Sequence, residues 1–286
     1  MVEQSTVNRS VVGSSPTSRA NFIMNNIGIG IVTCNREQFL DKLIKSLPDD
    51  IYTVVVNDGD ILDWDDMEHS KVDDYHYNVE NLGVGKSKNI LFRKLMEKGF
   101  EHIFIIEDDM LIKDTNVFNA YINAAEVSGI KHMMFGYHGP ANKSNSKPYP
   151  RFKVPYNKEV ELAFNLHCVG SFCYYHKDVL DDVGIFDEQY NNAWEHVDHS
   201  YMIAKAGYIP GYWYWPDLAN SYDYIDEQAC SEDNSTIRPR TDWQNNIVTG
   251  AKHFESKHGC LPVGVPNLPL TEVYENIKQI RKKYGK

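Results

Sequence analysis

His102-Ile-Phe-Ile-Ile-Glu-Asp-Asp109 sets an apolar run directly against three adjacent carboxylates. Four apolar residues in a row, ended by polar ones, read as a strand buried on both faces. The three carboxylates at its carboxyl end repel one another and cost stability. A hard divalent cation with oxygen ligands offsets such a cost. Mg2+ in particular takes one or two carboxylates and completes its shell with substrate phosphate oxygens. The plainer alternative is a solvated acidic turn, and position decides between the two.

Working back from this run, the same pattern recurs. Ile27-Gly-Ile-Gly-Ile-Val-Thr33 is a second apolar run, ending in Cys34-Asn35-Arg36. Phe39, Leu40, Leu43, Ile44 and Leu47 follow at helical spacing, and Pro48 stops them. Tyr52-Thr-Val-Val-Val56 is another buried strand, closed by the turn signal Asn57-Asp58-Gly59. Residues 60–74 read as an acidic loop, and Tyr75–Val79 as a short strand. Asn81-Leu82-Gly83-Val84-Gly85 opens a helix expected from Lys86 to Lys98, with Gly99 as its cap. A further helix is expected from Thr115 to Val127, with Asn116 or Asp114 at its start. Strands and helices in short alternation specify an α/β fold. Its central sheet is Rossmann-like and mostly parallel, and helices flank it. Such sheets bind ligands outside the carboxyl ends of their strands. Three polar clusters fall there: Thr33–Arg36, Asn57–Asp60 and Glu107–Asp109.

Beyond the acidic run the character changes. Residues 139–158 are rich in Pro, Asn, Ser and Lys and read as an exposed loop. A strand is expected at Val169–Tyr175, and helices at Lys177–Val183, Ala193–Ala206 and Thr271–Tyr284. Tyr212, Trp213, Tyr214, Trp215, Tyr222 and Tyr224 form an aromatic stretch that suits core packing better than a sugar-stacking platform. The last helix has Leu270, Val273, Tyr274, Ile277 and Ile280 at helical spacing and a basic end. Packing on its own domain is the favoured reading, and weak association with an anionic membrane is the alternative. No repeat is visible. The expected division is a flexible leader over 1–26, a catalytic domain over 27–225 and an extension over 226–286. Within the catalytic domain, 27–135 is the nucleotide-binding half and 136–225 the acceptor half.

Bulk properties narrow the function classes. With 286 residues, 42% of them hydrophobic, a sizeable core can form. The formal charge of -11 argues against binding along phosphate backbones, so there is no strong nucleic-acid signal. Of the five cysteines only Cys168 and Cys173 are close, at a spacing that is not a zinc ribbon's, so they read as reduced thiols in a cytoplasmic protein. No apolar run approaches the roughly 20 residues of a membrane helix, and residues 1–26 lack the apolar stretch of a signal peptide.

Two further clusters carry chemistry. Gly83-Val-Gly-Lys-Ser87 lacks the upstream glycine of a nucleotide-triphosphate loop, because position 80 is Glu80. The helix start, with Lys86 and Lys88, can still lie near a diphosphate. Trp194-Glu195-His196-Val197-Asp198-His199 places Glu195, Asp198 and His199 on one helical face and turns His196 elsewhere. A carboxylate there could take a proton from an acceptor hydroxyl, and burial beside Trp194 would raise its pKa. A capping and surface-charge cluster accounts for the same residues equally well. His196 and His199 as a zinc pair lack a third ligand nearby. Asn57 and Asp58 suit a nucleobase or ribose, or an ordinary Asx turn.

Taken in order, these segments resemble the GT-A fold glycosyltransferases, specifically the large inverting family 2. Ile31-Val-Thr-Cys-Asn-Arg36 resembles that family's first strand and loop, and Val54-Val-Val-Asn-Asp-Gly59 its nucleotide motif. Asn81-Leu-Gly-Val-Gly-Lys-Ser-Lys-Asn89 is similar to its Asn-x-Gly…Arg-Asn segment, with Lys88 for Arg. Ile105-Ile-Glu-Asp-Asp-Met110 resembles its DxD metal motif. Val183-Gly-Ile-Phe-Asp-Glu188 with Trp194–Gly207 resembles its acceptor-side motif. The likeness covers residues 27–210. It implies transfer from a nucleotide-sugar donor, UDP-linked, to a glycan or polysaccharide acceptor with Mn2+ or Mg2+. Thr33, Asn35, Arg36, Asn57, Asp58, Lys88, Glu107 and Asp108 would then contact the donor. Asp109 would bind the metal, with Asp108 supporting and His253 or Asp223 as a further ligand. The family's base position holds His196 here. Glu195 is therefore the first choice of base, Asp198 the second, and His196 a third. The rivals are a glycosyltransferase acting on hydroxylated DNA bases and a non-catalytic nucleotide-sugar or glycan-binding module.

Overall fold

The computed structural model describes residues 26–63, 69–228 and 235–286. Apart from Asn26, the expected leader lies outside the described residues, as does Cys230. The chain runs β1 (Ile27–Thr33), α1 (Glu37–Ser46), β2 (Tyr52–Asn57), β3 (Asp74–Tyr77), α2 (Val84–Glu97), β4 (His102–Glu107) and β5 (Met110–Ile112). It continues with α3 (Val117–Ser128), β6 (His132–Met134), β7 (Lys143–Ser144), β8 (Lys147–Pro148), β9 (Phe152–Pro155), β10 (Glu161–Asn165) and β11 (Phe172–His176). The last elements are α4 (Lys177–Val183), α5 (Glu195–Lys205), β12 (Trp215–Leu218), α6 (Ser221–Tyr224), β13 (Ile225–Glu227), α7 (Trp243–His258) and α8 (Leu270–Tyr284).

The central sheet has the order β3-β2-β1-β4-β11-β6. The first four of these strands are parallel, and β11 runs antiparallel to both β4 and β6. Every residue of β1 is buried, as a central strand covered on both faces requires. A Cβ on Gly28 would come within 2.7 Å of Leu95 and Phe100, and one on Gly30 within 3.0 Å of Leu91. These glycines let α2 lie directly on the strand. The register aligns Thr33 with Asn57 and Val32 with Glu107. All three polar clusters therefore share one edge of the sheet, where a mostly parallel sheet binds ligands.

The rest is antiparallel. β9, β10 and β12 form a three-stranded sheet, β7 and β8 a hairpin, and β13 pairs with β5. The segment read as an exposed loop over 139–158 thus holds a hairpin and an edge strand, each too short for a period to show. α7 had no sequence forecast, because among its sixteen residues only Asn246, Gly250 and Phe254 are buried. α2 begins two residues earlier than expected, because Asn192 Oδ1 accepts from Val84 N at 2.9 Å. α8 buries Val273, Ile277 and Ile280 and makes its main contacts with α3, so its apolar stripe is used within the chain. No helix among the described residues is long and apolar enough to cross a membrane.

Candidate active site

The acidic triplet splits into three environments. Glu107 accepts from Lys88 Nζ at 2.5 Å. Burial raises its pKa, but the Lys88 ammonium outweighs burial and holds the carboxyl well below the usual range. Lys88 is itself buried and also donates to the Gly170 carbonyl at 2.8 Å. Asp108 has no exposed surface; it accepts from Thr33 Oγ1 at 2.6 Å and is ion-paired with Arg36. Burial pushes its pKa up to about 7 even so. Asp109 meets Arg36 Nη1 at 3.1 Å through Oδ2, and its Oδ1 is buried without a hydrogen-bond partner. Burial, and then the neighbouring Glu107, raise its pKa.

The β13–β5 pairing locks this triplet in place. Gln228 donates its backbone N–H to the Asp109 carbonyl at 2.6 Å. Its amide reaches the carbonyls of Phe39, Asp108 and Met110 at 2.9 to 3.1 Å. His138 lies 3.9 Å from Asp109 Oδ2 and 3.4 Å from Glu227 Oε2. Sequence reasoning missed His138, Glu227 and Gln228. None belongs to a spaced motif, and only the long-range pairing of β13 with β5 brings Glu227 and Gln228 there.

The residues expected to read the nucleobase are used internally. Asn57 donates to the Asp60 carbonyl at 2.6 Å and accepts from Gly59 N at 2.9 Å, which is the Asx-turn alternative. Asp58 accepts from Asn78 and Asn81 amides at 2.7 and 2.9 Å, and from Leu82 and Gly83 N–H at 2.7 and 2.8 Å. Its four bonds pin the loop before α2. Asn35 holds the Asp60 N–H at 2.5 Å. Beside these residues a cavity of about 560 Å³ is lined by Asn35, Arg36, Phe39, Asp60, Leu62 and Thr236.

A second cleft, of about 590 Å³, joins the two halves of the site. Glu107 and His138 line it from the triplet side, Glu195 and His196 from α5, and Arg238 and Trp243 from the C-terminal part. Glu195 is 4% exposed; its Oε1 is 3.1 Å from His196 Nδ1, while Oε2 is buried without a partner. The expectation that burial beside Trp194 raises its pKa is overturned. Burial does raise it, but His196 and then Lys88 bring it below the ordinary value. Trp194 instead stands at φ 72° and donates its indole N–H to the Ile247 carbonyl of α7 at 2.9 Å.

Two other expected residues point away from this cleft. Asp198 is held by Lys257 Nζ at 2.8 Å, His258 Nε2 at 2.7 Å and Tyr190 Oη at 3.0 Å. His199 Nε2 meets the Gly184 carbonyl at 2.8 Å. So His196, not Asp198 or His199, shares the cleft with Glu195. His253 meets Asp187 at 2.9 Å rather than the triplet, because α7 packs its basic side chains onto the acids of α5 and the turn before it.

No family model matches the chain. A protein of Acanthamoeba polyphaga mimivirus, described as an uncharacterized glycosyltransferase, is 24% identical over 233 residues, which is 74% of this chain and 84% of that protein. Among solved structures, GalNAc-T7 with UDP, GalNAc and Mn2+ superposes with a TM-score of 0.52 at 13% identity. The match takes in 91% of this chain and 58% of that one, little more than half its length. Glucosyl-3-phosphoglycerate synthase from Mycobacterium tuberculosis gives a TM-score of 0.45 at 12% identity, over 70% of this chain and 72% of that one. The chain has the GT-A glycosyltransferase fold.

Proposed function

We propose that the chain is a glycosyltransferase that moves a sugar from a UDP-linked donor to a hydroxyl of a glycan or polysaccharide. In this reading a divalent cation sits at Asp109, and Glu195 is the general base. One observation carries it. A single cleft has the acidic triplet's Glu107 on one wall and, on the other, a buried carboxylate whose Oε2 has no partner.

The residues present fit Mn2+ or Mg2+. Asp109 offers a buried oxygen without a hydrogen bond on a carboxyl whose charge is destabilised. Among the described residues, no three His, Cys, Asp or Glu side chains stand ready as a cage. That suits a cation that takes few protein ligands and completes its shell with phosphate oxygens. When bound, the cation supplies neutralisation of the charge that develops on the departing diphosphate.

The chain's own groups do the rest. Lys88 fixes Glu107 at the boundary of the two halves. Thr33 and Arg36 take up the Asp108 carboxylate, and Asp109, though it also meets Arg36, keeps one oxygen without a partner and is the member left to serve the donor. Glu195 is ionised at neutral pH, and His196 at Oε1 leaves Oε2 to accept the proton of an acceptor hydroxyl as the new bond forms. The order of roles narrows accordingly: Glu195 is the base, His196 positions it, and Asp198 is a structural acid.

A thermal-shift panel of nucleotide sugars, with and without Mn2+, tests the donor half, because a bound ligand raises the apparent melting temperature. UDP-sugars with Mn2+ should give the largest shift, and Asp109→Ala should lose it. Glu195→Ala should keep the shift and lose donor turnover. Metal-dependent donor binding that survives Asp109→Ala sinks the proposal. Binding without turnover in the unsubstituted protein points to a binding module instead.

A further inference from the structure

We infer that His138 is the imidazole ligand of the cation at Asp109, and that Glu227 orients it from behind. The inference rests on the proposed function, which puts a cation at Asp109, and it names residues that the motifs do not.

Three observations converge on this imidazole. First, His138 lines the cleft beside Glu107 with its Nε2 turned to Asp109 Oδ2 at 3.9 Å. That is too long for a hydrogen bond. Two ligands each about 2.1 Å from one ion stand roughly 3 to 4 Å apart, the range in which this pair falls. Second, the other ring nitrogen, Nδ1, is buried without a hydrogen bond and faces Glu227 Oε2 within ion-pair range at 3.4 Å. A metal-ligating histidine almost always gives its second N–H to a carboxylate, a carbonyl or water, which fixes the tautomer and makes the free nitrogen more basic. Third, Glu227 is itself held. It ends β13 opposite Met110. Lys143 Nζ donates to its Oε1 at 2.9 Å, and the Gly139 N–H to its Oε2 at 2.5 Å. The carboxylate is therefore placed before any ligand arrives.

The same strand pairing sets the other side. Gln228 N, the residue after Glu227, holds the Asp109 carbonyl. Asp109 and Glu227 are thus fixed on one two-stranded ribbon, with His138 between them and the Asp109 Oδ1 buried without a partner. Arg36, which bridges Asp108 and Asp109, meets the same Asp109 Oδ2 that His138 faces, so an incoming cation must share that oxygen or take the partnerless Oδ1. Only a cation that brings phosphate oxygens with it competes well for this position, so binding should need a nucleoside diphosphate.

Pulsed EPR on Mn2+ added with UDP, and separately with GDP, tests this without turnover. The full chain should show the 14N modulation of a bound imidazole, and uniform 15N-histidine labelling should convert it to the 15N pattern without any substitution. His138→Gln should abolish the modulation and weaken Mn2+ binding about ten-fold or more. Glu227→Gln should keep the modulation and weaken binding, as loss of a histidine's outer partner does by about 10- to 100-fold. Mn2+ that binds without histidine modulation, or modulation that survives His138→Gln, overturns the inference and leaves the proposed function standing. No Mn2+ binding with either nucleotide overturns both.

Discussion

Asp58 and Asp109 each close a parallel strand at the same edge of the same sheet, and both are buried. They differ in what their oxygens meet. Asp58 accepts four hydrogen bonds from the loop it pins. Asp109 has one oxygen on Arg36 and one on nothing. The same contrast recurs one turn apart on α5, where Asp198 is held by Lys257, His258 and Tyr190 while Glu195, which lines the cleft, keeps a buried oxygen without a partner. A buried charge left unsatisfied costs stability. Fold requirements alone do not account for such a group, so the unsatisfied member of each pair is the candidate for chemistry and the satisfied one for structure.

The sharpest way to break this comparison is Asp109→Asn. The substitution keeps the shape and removes a carboxylate whose pKa is raised by burial and by Glu107. Sugar transfer should fall by about 10³-fold, the scale on which removing one transition-state charge partner acts. Stability should not fall with it. Relief of a destabilised charge should leave the melting temperature equal or higher by a few degrees, the trade seen where active sites hold strain. A variant that loses both activity and several degrees of melting temperature would make Asp109 a structural acid like Asp58.

Asp58→Asn is the converse test. The amide accepts at one oxygen only and turns an N–H towards donors, so two of the four bonds are lost and one buried donor, the Asn78 amide or the Gly83 N–H, is left without an acceptor. A loss of about 2–4 kcal/mol follows from roughly 1–3 kcal/mol for the buried unsatisfied donor and about 1 kcal/mol for the other lost bond. Chemical denaturation should show it as an earlier midpoint. Nucleotide affinity of the folded fraction should change little, since the side chain is occupied by the loop. A selective loss of nucleotide binding at unchanged stability would return Asp58 to the role its family resemblance implies.

These pairs also mark where the sequence was legible. The apolar runs at Ile27–Thr33, Tyr52–Asn57 and His102–Glu107 declare a parallel sheet, because strands covered on both faces need no polar alternation. The ligand edge follows from the polar residues that end them. What cannot be read is which carboxylate is satisfied. Asn78 and Asn81 are ordinary loop residues until the backbone folds them onto Asp58. Lys257 and His258, which saturate Asp198, sit on a helix with only three buried residues and no clear stripe. His138 and Glu227 belong to no spacing at all, and only the pairing of β13 with β5 brings Glu227 to the triplet. Residue type gave the candidates, and tertiary hydrogen bonding sorted them.

The smallest expected effect comes from a group at the satisfied extreme. His132 has no exposed surface, and both ring nitrogens are engaged, with the Tyr174 carbonyl at 2.9 Å and Ser200 Oγ at 3.1 Å. Burial pushes its pKa down from 6.5 to about 3. A histidine whose folded pKa lies below its unfolded value contributes stability above pH 6.5 and loses it as the pH falls towards 3. The slope for one such group reaches about 1.4 kcal/mol per pH unit, or roughly 1 kcal/mol lost by pH 5.5. His132→Gln cannot take up this proton, so its stability should fall less steeply than the parent's over that window. Denaturation midpoints measured at pH 7.5, 6.5 and 5.5 give the comparison, and parallel lines would refute it. The rate of sugar transfer by the folded protein at neutral pH should be unchanged to within about two-fold, because His132 hydrogen-bonds the Tyr174 carbonyl and Ser200 and stacks on Tyr175, none of which lines the cleft. A buried group with every hydrogen bond made should register in stability alone, and a larger change in rate would mean that satisfaction does not separate structure from function in this protein.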